Sequence, residues 1–390
     1  MRTFMLRFLI IVIFISSLVG CWDLREIEEL GFVMGVAMDP GEDDTQITTY
    51  QIAVPEALKV ESEGGGTQQA YFNVTGSDLT DMQVSREIST KTSRRTNFEH
   101  LQVIILNQEL AKEGLTSHLL DFFYRDHEMR TRNLIFVSSS EAKSIFEVDV
   151  DLEDMPAMSI PILAERQRSV LQMPKELTMG DMADQAIGRR SYLIPLVRVD
   201  EENTIKIDGG AIFLGKTNTM IGTLAEEDIE GFNLVVGEAE KGVLEVPFED
   251  RGVFNFEIMN LNPDISYERK QGEDYFQVHI QTEGLLAEDW IDGMEINNQK
   301  NLDQLEEAVE QEMQKKVEAI IKKMQEDHQA DVFDFLQYVR IKAYDYWNET
   351  NEDWDGEGGA FSKANIDVEI DAKIRNYMSN EKLERKDSHS

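Results

Sequence analysis

The sequence predicts a mixed α/β or α+β protein of three domains, each a mixed or antiparallel sheet flanked by helices. Three observations carry this. Short apolar runs alternate with stretches of helical period from Gly31 to Val137, an order of strand, helix, strand, helix, strand that layers helices on a sheet. One long helical repeat, Leu302 to Met324, stands between two alternating strand patterns near the carboxyl end. A chain of 390 residues also exceeds what one hydrophobic core holds. The expected division is a signal peptide over 1–20, an amino-terminal α/β domain over 21–200, a small middle domain over 201–252, and a carboxyl-terminal domain over 253–390 that ends in a frayed, charged tail.

The amino terminus comes first in the chain. Arg2 and Arg7 form a positive region, Phe8 to Ile15 an apolar one, and Ser16 and Ser17 lead into Leu18-Val19-Gly20-Cys21. This is the order of a secretory signal. The apolar core is too short to span a bilayer, which takes about 20 apolar residues. Leu18, Val19 and Gly20 therefore read as a lipobox and Cys21, the only cysteine, as the acceptor of a diacylglycerol, with no other cofactor expected. Each buried methylene of two acyl chains contributes about 0.8 kcal/mol, enough for stable anchoring. The rest of the chain is then an ectodomain tethered outside the cytoplasm. Trp22, Asp23, Glu26 and Ile27 lie closest to the membrane and are the candidate interface.

Gly31 to Asp39 and the alternating Ile47 to Val54 read as strands on either side of an acidic turn, and 61–69 as a Gly-rich loop. Leu79 to Arg94 reads as an amphipathic helix with Leu79, Met82, Val84 and Ile88 inward. Leu101 to Leu106 is a strand, Ala111 to Arg125 a helix, and Asn133 to Val137 a further strand. Met155 to Pro161 breaks the pattern, and Glu165 to Leu171 and Leu177 to Gly188 read as helices. After a strand around Pro195, Ile205 to Ile207 and Gly210 to Leu214 read as a hairpin turning at Asp208-Gly209, where the small domain is expected to begin. Phe276, Val278 and Ile280 mark a strand ahead of the long helix, and 364–374 is the last strand. The apolar face of that helix needs a cover, and the sheet of its own domain is the expected one.

Charge excludes some partners. With 38 basic against 75 acidic residues, net −37, the chain lacks the basic footprint that nucleic acid requires. Its surface as a whole stands off an anionic membrane.

Catalytic and metal motifs are weak. Ser140-Glu141-Ala142-Lys143 has the spacing of a penicillin-recognising nucleophile, but Lys216-Thr217-Asn218 lacks the glycine of the companion strand, and a helix start capped by Ser140 explains the residues better. Asn351-Glu352-Asp353-Trp354-Asp355-Gly356 resembles the first half of a calcium loop, yet the twelfth position is Ser362, not glutamate. His100, His118, His127, His279, His328 and His389 show no zinc-binding spacing.

Several stretches together carry a family likeness. Cys21-Trp22-Asp23, Glu26-Ile27, Leu30 and Gly35 to Asp39 are joined by Thr75-Gly76-Ser77, His100 to Leu106, and Glu109-Leu110-Ala111-Lys112-Glu113-Gly114. Leu120-Asp121-Phe122-Phe123 with Arg125-Asp126, Gly209 to Phe213, and Gly222-Thr223-Leu224 complete the set. In order and spacing they resemble the Ger(x)C spore germination lipoproteins, the C subunits of nutrient germinant receptors. The resemblance covers nearly the whole chain after Cys21. It implies a three-domain, non-catalytic lipoprotein on the outer face of the inner membrane of an endospore, assembled with two integral membrane subunits of A and B type. Two departures bear on the partner surface of the third domain: Phe333 to Val339 has no glycine, and Asn351 to Gly359 is unusually acidic. The competing readings are an extracytoplasmic lipoprotein that captures a small solute and an envelope hydrolase dependent on Ser140.

Overall fold

The computed structural model describes residues 29–43, 45–54, 70–114, 122–123, 129–150, 152–291 and 299–375. They form a mixed α+β architecture on two sheets. In the first, β1 (Leu30–Pro40), β5 (Val103–Asn107), β6 (Leu134–Ser138) and β7 (Tyr192–Val199) run parallel and adjacent. Antiparallel β2 (Gln46–Ala53) and β3 (Tyr71–Asp78) extend one side, and β8 (Ile205–Leu214) and β9 (Thr219–Leu224) the other. The short β4 (Arg95–Asn97) lies parallel to the start of β1.

Both faces of the parallel strands are covered, which is why β5 and β6 are uninterrupted apolar runs. Ile104, Leu106, Ile135 and Val137 face one core, closed by Val84 and Ile88 of α1 (Asp81–Lys91), Leu110 of α2 (Gln108–Glu113), and Met179 and Met182 farther along. Val103, Ile105, Leu134 and Phe136 face the other, under a 3-10 turn (Ala142–Glu147) and α3 (Pro156–Ala164). α4 (Met179–Ile187) starts with the Thr178 and Asp181 side chains bonded reciprocally to each other's backbone N–H groups.

The second sheet runs β10 (Val243–Pro247), β11 (Gly252–Lys270), β12 (Glu273–Ile291), β13 (Asn365–Ile374). β11 and β12 form a long antiparallel hairpin through Gln271 and Gly272, whose φ of 54° and 91° suit a tight turn between twisted strands. β13 pairs parallel to β12. α6 (Gln299–Lys323) lies on this sheet after α5 (Glu226–Val236), burying Leu305, Val309, Met313, Val317, Ile320 and Ile321 with Phe254, Phe256, Phe276 and Val278. The sheet thus supplies the expected cover. α6 also protects the sheet edge: Glu310 accepts from Ala372 N at 3.0 Å and Glu306 from Ile374 N at 3.0 Å. α5 bridges the two sheets and meets α6 so closely that a Cβ on Gly231 would sit 2.5 Å from the Lys316 carbonyl oxygen. α7 (Phe335–Lys342) and α8 (Tyr344–Thr350) precede the last strand.

Some elements differ from the sequence reading. Residues 201–252 have no sheet of their own: β8 and β9 finish the first sheet, and β10 opens the second. Asp208-Gly209 does not turn the chain. Gly209 at φ +72° makes a bulge inside a continuous β8, and Asp208 is turned to Arg198 and Lys206. The hairpin turn is the next one, between β8 and β9. Met155 to Pro161 opens α3, because Pro156 occupies the first helical position, where its missing N–H is not needed. Leu79 and Met82 are 67% and 51% exposed, since α1 begins only at Asp81 and turns Val84 and Ile88 inward.

Candidate functional site

The residues that the sequence marks as functional, Leu18, Val19, Gly20, Cys21, Trp22, Asp23, Glu26 and Ile27, lie outside the described residues. So do Arg125, Asp126, His118, His127, His389, the Gly-rich loop and the charged tail. The described chain takes up at Glu29 and enters β1 directly.

The weaker sequence candidates are drawn apart. Lys143 pairs with Glu141 at 3.0 Å rather than with Ser140. The turn after Ser140 is capped from β1, with Asp39 accepting from Ala142 N at 2.6 Å and Lys143 N at 3.0 Å. Ser140 is thus no cap, because a buried carboxylate two strands away, across β5, accepts from both N–H groups. His100 stands edge-on to Phe32, ring centroids 5.1 Å apart, in the turn before β5. Within 351–356 the side chains diverge: Asn351 donates to the Trp347 carbonyl, Asp353 meets Lys216, and Asp355 turns inward.

That inward turn builds the most elaborate polar cluster among the described residues, at the seam between the two sheets. Asp331 is 3% exposed and accepts four hydrogen bonds: Phe333 N at 3.2 Å, Phe335 N at 3.1 Å, Leu336 N at 2.9 Å and Trp354 Nε1 at 2.8 Å. It fixes the start of α7 and holds the indole. Asp331 N in turn donates to Asp355 Oδ1 at 2.8 Å, and Ser191 Oγ, just before β7, donates to Asp355 Oδ2 at 2.6 Å. Gly215 N, in the β8–β9 turn, completes the chain by donating to Ser191 Oγ at 3.0 Å. Around this core Arg190 bonds Asp334 at 3.0 Å, Arg189 meets Glu352 at 2.9 Å and Lys216 meets Asp353 at 3.1 Å.

Burial dominates the electrostatics of the seam. It raises Asp355 to about 7, helped by the Asp331 charge, while the Ser191 and Asp331 bonds act against it. Asp334 is pushed up to about 6 by burial and Asp331, with Arg190 opposing, and its Oδ1 is buried without a hydrogen-bond partner among the described residues. Burial also raises Asp331, while the bonds from Trp354 and from the Leu336, Phe335 and Phe333 N–H groups act against that rise. Chemically the cluster is a lock between units. Little in the sequence signals it, since single aspartates do not stand out in so acidic a chain.

Comparison with known proteins fits this two-part layout. A family described as the spore germination protein N-terminal domain matches residues 23–199, and one described as spore germination B3/GerAC-like, C-terminal, matches 208–378. The chain belongs to the GerAC, or Ger(x)C, family of spore germination proteins. The seam of this GerAC chain joins the two matched regions, Ser191 from one and Asp331 and Asp355 from the other. Among its relatives in Bacillus subtilis (strain 168), spore germination protein YndF is 27% identical over 94% of this chain and 95% of its own length. Spore germination protein B3 is 26% identical over 95% and 97%, and spore germination protein A3 27% over 94% and 97%. The crystal structure of the GerBC protein superposes with a TM-score of 0.60 at 23% identity, covering 90% of this chain and 99% of that one, and shares the fold. The GerAC family gives this chain a role in spore germination.

Proposed function

We propose that this GerAC-family protein is the lipid-anchored, non-catalytic subunit of a spore nutrient germinant receptor. Its work is to support assembly and signalling with two integral membrane subunits of A and B type at the outer face of the endospore inner membrane. The observation that carries the proposal is the lipobox Leu18-Val19-Gly20 ending on the sole cysteine, Cys21, in a chain of this family. No described helix is long and apolar enough to cross a membrane, so among the described residues the anchor has no competitor of that kind. Diacylglycerol on Cys21 is the one covalent group proposed.

The test is co-purification from detergent-solubilised spore membranes, comparing the wild type with Cys21→Ala. Two multi-span proteins following the wild type, and reduced with the variant, support an anchored receptor subunit. Neither following either form sinks the assembly role. Small-solute capture keeps one specific place, a concavity of about 460 Å³ between the β8–β9 turn and 353–359, lined by Lys216, Asp353, Asp355 and Glu357. Thermal stabilisation by one of a panel of nutrients, lost in Lys216→Ala, would favour it.

A further inference from the structure

β13 is the outermost strand of the second sheet, and its edge is protected over only part of its length. Arg375 N donates to the Gly284 carbonyl of β12 at 2.8 Å in a parallel ladder. The odd-numbered residues of β13 therefore turn their N–H and C=O groups to β12, and the even-numbered ones turn theirs away. Ala372 and Ile374 follow this rule, since their outward N–H groups are the two that Glu310 and Glu306 accept from. The row of caps on α6 ends there: Gln314, one turn beyond Glu310, gives its amide to Glu318 at 2.7 Å. The outward N–H and C=O groups of Ile366, Val368 and Ile370 have no hydrogen-bond partner among the described residues. Other edges are blunted. On β3, Lys91 donates to the Thr75 carbonyl at 2.8 Å and Ser77 N to Glu87 at 2.8 Å, and β10 ends on Pro247.

The side chains of β13 sort by the same parity. Odd positions face the open side of the sheet and carry Asp367, Glu369 and Asp371, all exposed. Gln277 donates to Glu369 at 3.2 Å and His279 meets Asp371 at 2.8 Å, but no lysine or arginine among the described residues pairs with any of these acids. Lys373 and Arg375, at the end of the strand, are held by Glu306 and Glu283. Even positions face the core, where Ile366 and Val368 are only half-buried. We infer that the 366–370 edge of β13 receives an extended segment of a partner protein, basic at alternate positions, as the next strand of the second sheet. The segment's N–H and C=O groups continue the ladder, and its lysines or arginines lie beside Asp367, Glu369 and Asp371. The apolar residues between them finish covering Ile366 and Val368. A second copy of this chain does not fit. Antiparallel pairing of β13 with itself, centred on Glu369, sets Asp367 against Asp371 and Glu369 against its own copy, and like charges directly opposite are destabilising. The site is independent of the anchor on Cys21.

The experiment titrates the full-length protein into a fluorescein-labelled peptide of alternating lysine and valine, seven residues long with lysine at both ends, and follows anisotropy. Binding should saturate. The same peptide N-methylated along its backbone keeps its charges, loses every backbone donor, and should not bind measurably; nor should the peptide with glutamate in place of lysine. Asp367→Asn with Glu369→Gln and Asp371→Asn should weaken binding about tenfold, for three cross-strand charge pairs. Val368→Pro removes an edge donor while leaving the β12 ladder whole, and should abolish binding in a protein whose circular dichroism is unchanged. Glu257→Gln with Asp264→Asn, on the same face of the sheet but two strands away, should leave it as it was. Absence of saturable binding, or equal binding of the N-methylated peptide, overturns strand addition. Unchanged binding in the acidic triple variant or in folded Val368→Pro places the peptide elsewhere and overturns the edge site. A wild type that sediments as a dimer, and is dispersed by Val368→Pro, makes a second copy the occupant and overturns the basic partner.

Discussion

The two sheets solve the same burial problem in different ways. β5 and β6 are buried at every position, apolar on both faces, because helices close both sides of the parallel strands. β11 and β12 alternate buried with exposed or half-buried positions along much of their length, since α6 covers one face and water takes the other. In the first sheet, therefore, neighbouring residues share the load of two cores. In the second, only every other residue carries it.

The comparison is broken most forcefully at the lock between the sheets. Asp331→Ala leaves four N–H donors without their acceptor and should remove about 3–5 kcal/mol. Denaturant unfolding should then split into two transitions, while Asp331→Asn, which keeps one acceptor oxygen, should lose less and stay cooperative. A loss under about 1 kcal/mol in both variants would show that the sheets are held together by other contacts.

Next in size are truncations within the sheets. Ile104→Ala and Ile105→Ala point to opposite cores and should each cost about 2–5 kcal/mol, and Val278→Ala on β12, which removes two buried methyl groups, at least about 1.5 kcal/mol. Gln277→Ala, the exposed neighbour of Val278, should stay within about 0.5 kcal/mol. Equal losses at 277 and 278 would refute one-sided burial of the second sheet.

The pH dependence sharpens the contrast further. Burial raises Asp81 to about 7, against bonds from Gln46 and Thr48, and raises Asp355 to about 7 as well. With folded values above unfolded ones, their contribution is full below the unfolded carboxylate range near 4 and is lost as pH rises to about 7, for Asp81 by about 2–4 kcal/mol. Glu87, Asp200, Asp208 and Glu283 are shifted down, and their contribution is lost as pH falls through the carboxylate range. Thermal midpoints should therefore be higher near pH 5 than at pH 8. Asp81→Asn should flatten that slope for the first sheet and Asp355→Asn for the seam; a midpoint rising from pH 5 to 8 would contradict the assignment.

The smallest effects are expected at the rim of the seam. Arg189→Ala and Lys216→Ala break exposed pairs and should each cost under about 1 kcal/mol in double-mutant cycles with Glu352 and Asp353.

What the sequence revealed follows the same division. β1, β5 and β6 were legible because a strand buried on both faces is a continuous apolar run, and α6 because its apolar residues repeat over many turns. β11 was not legible: Asn260, Asn262 and Asp264 face outward while Pro263, on the inward register between Leu261 and Ile265, breaks the apolar alternation, and these positions are known only once α6 lies on the other face. The allegiance of β8 and β9 was hidden for a related reason, as Gly209 marks a turn and a bulge with the same residue type. The proposed lipidation motif rests on the sequence alone, whereas the seam depends on contacts between Ser191 and Asp355 that no local pattern encodes.

The parallel pairing of β13 with β12 has a consequence for how the molecule is made. The two strands are joined through α6, α7 and α8, so Tyr275 waits about ninety residues for its partner Asn365. A hairpin can close as soon as its turn leaves the ribosome, but this ladder forms only when nearly the whole chain has emerged. Until then Glu306 and Glu310 lack the N–H groups they accept from, and one flank of β12 stays open as a template for other strands. Chains cut short before residue 365 should thus be prone to aggregate, and the final strand acts as a signature of completed synthesis.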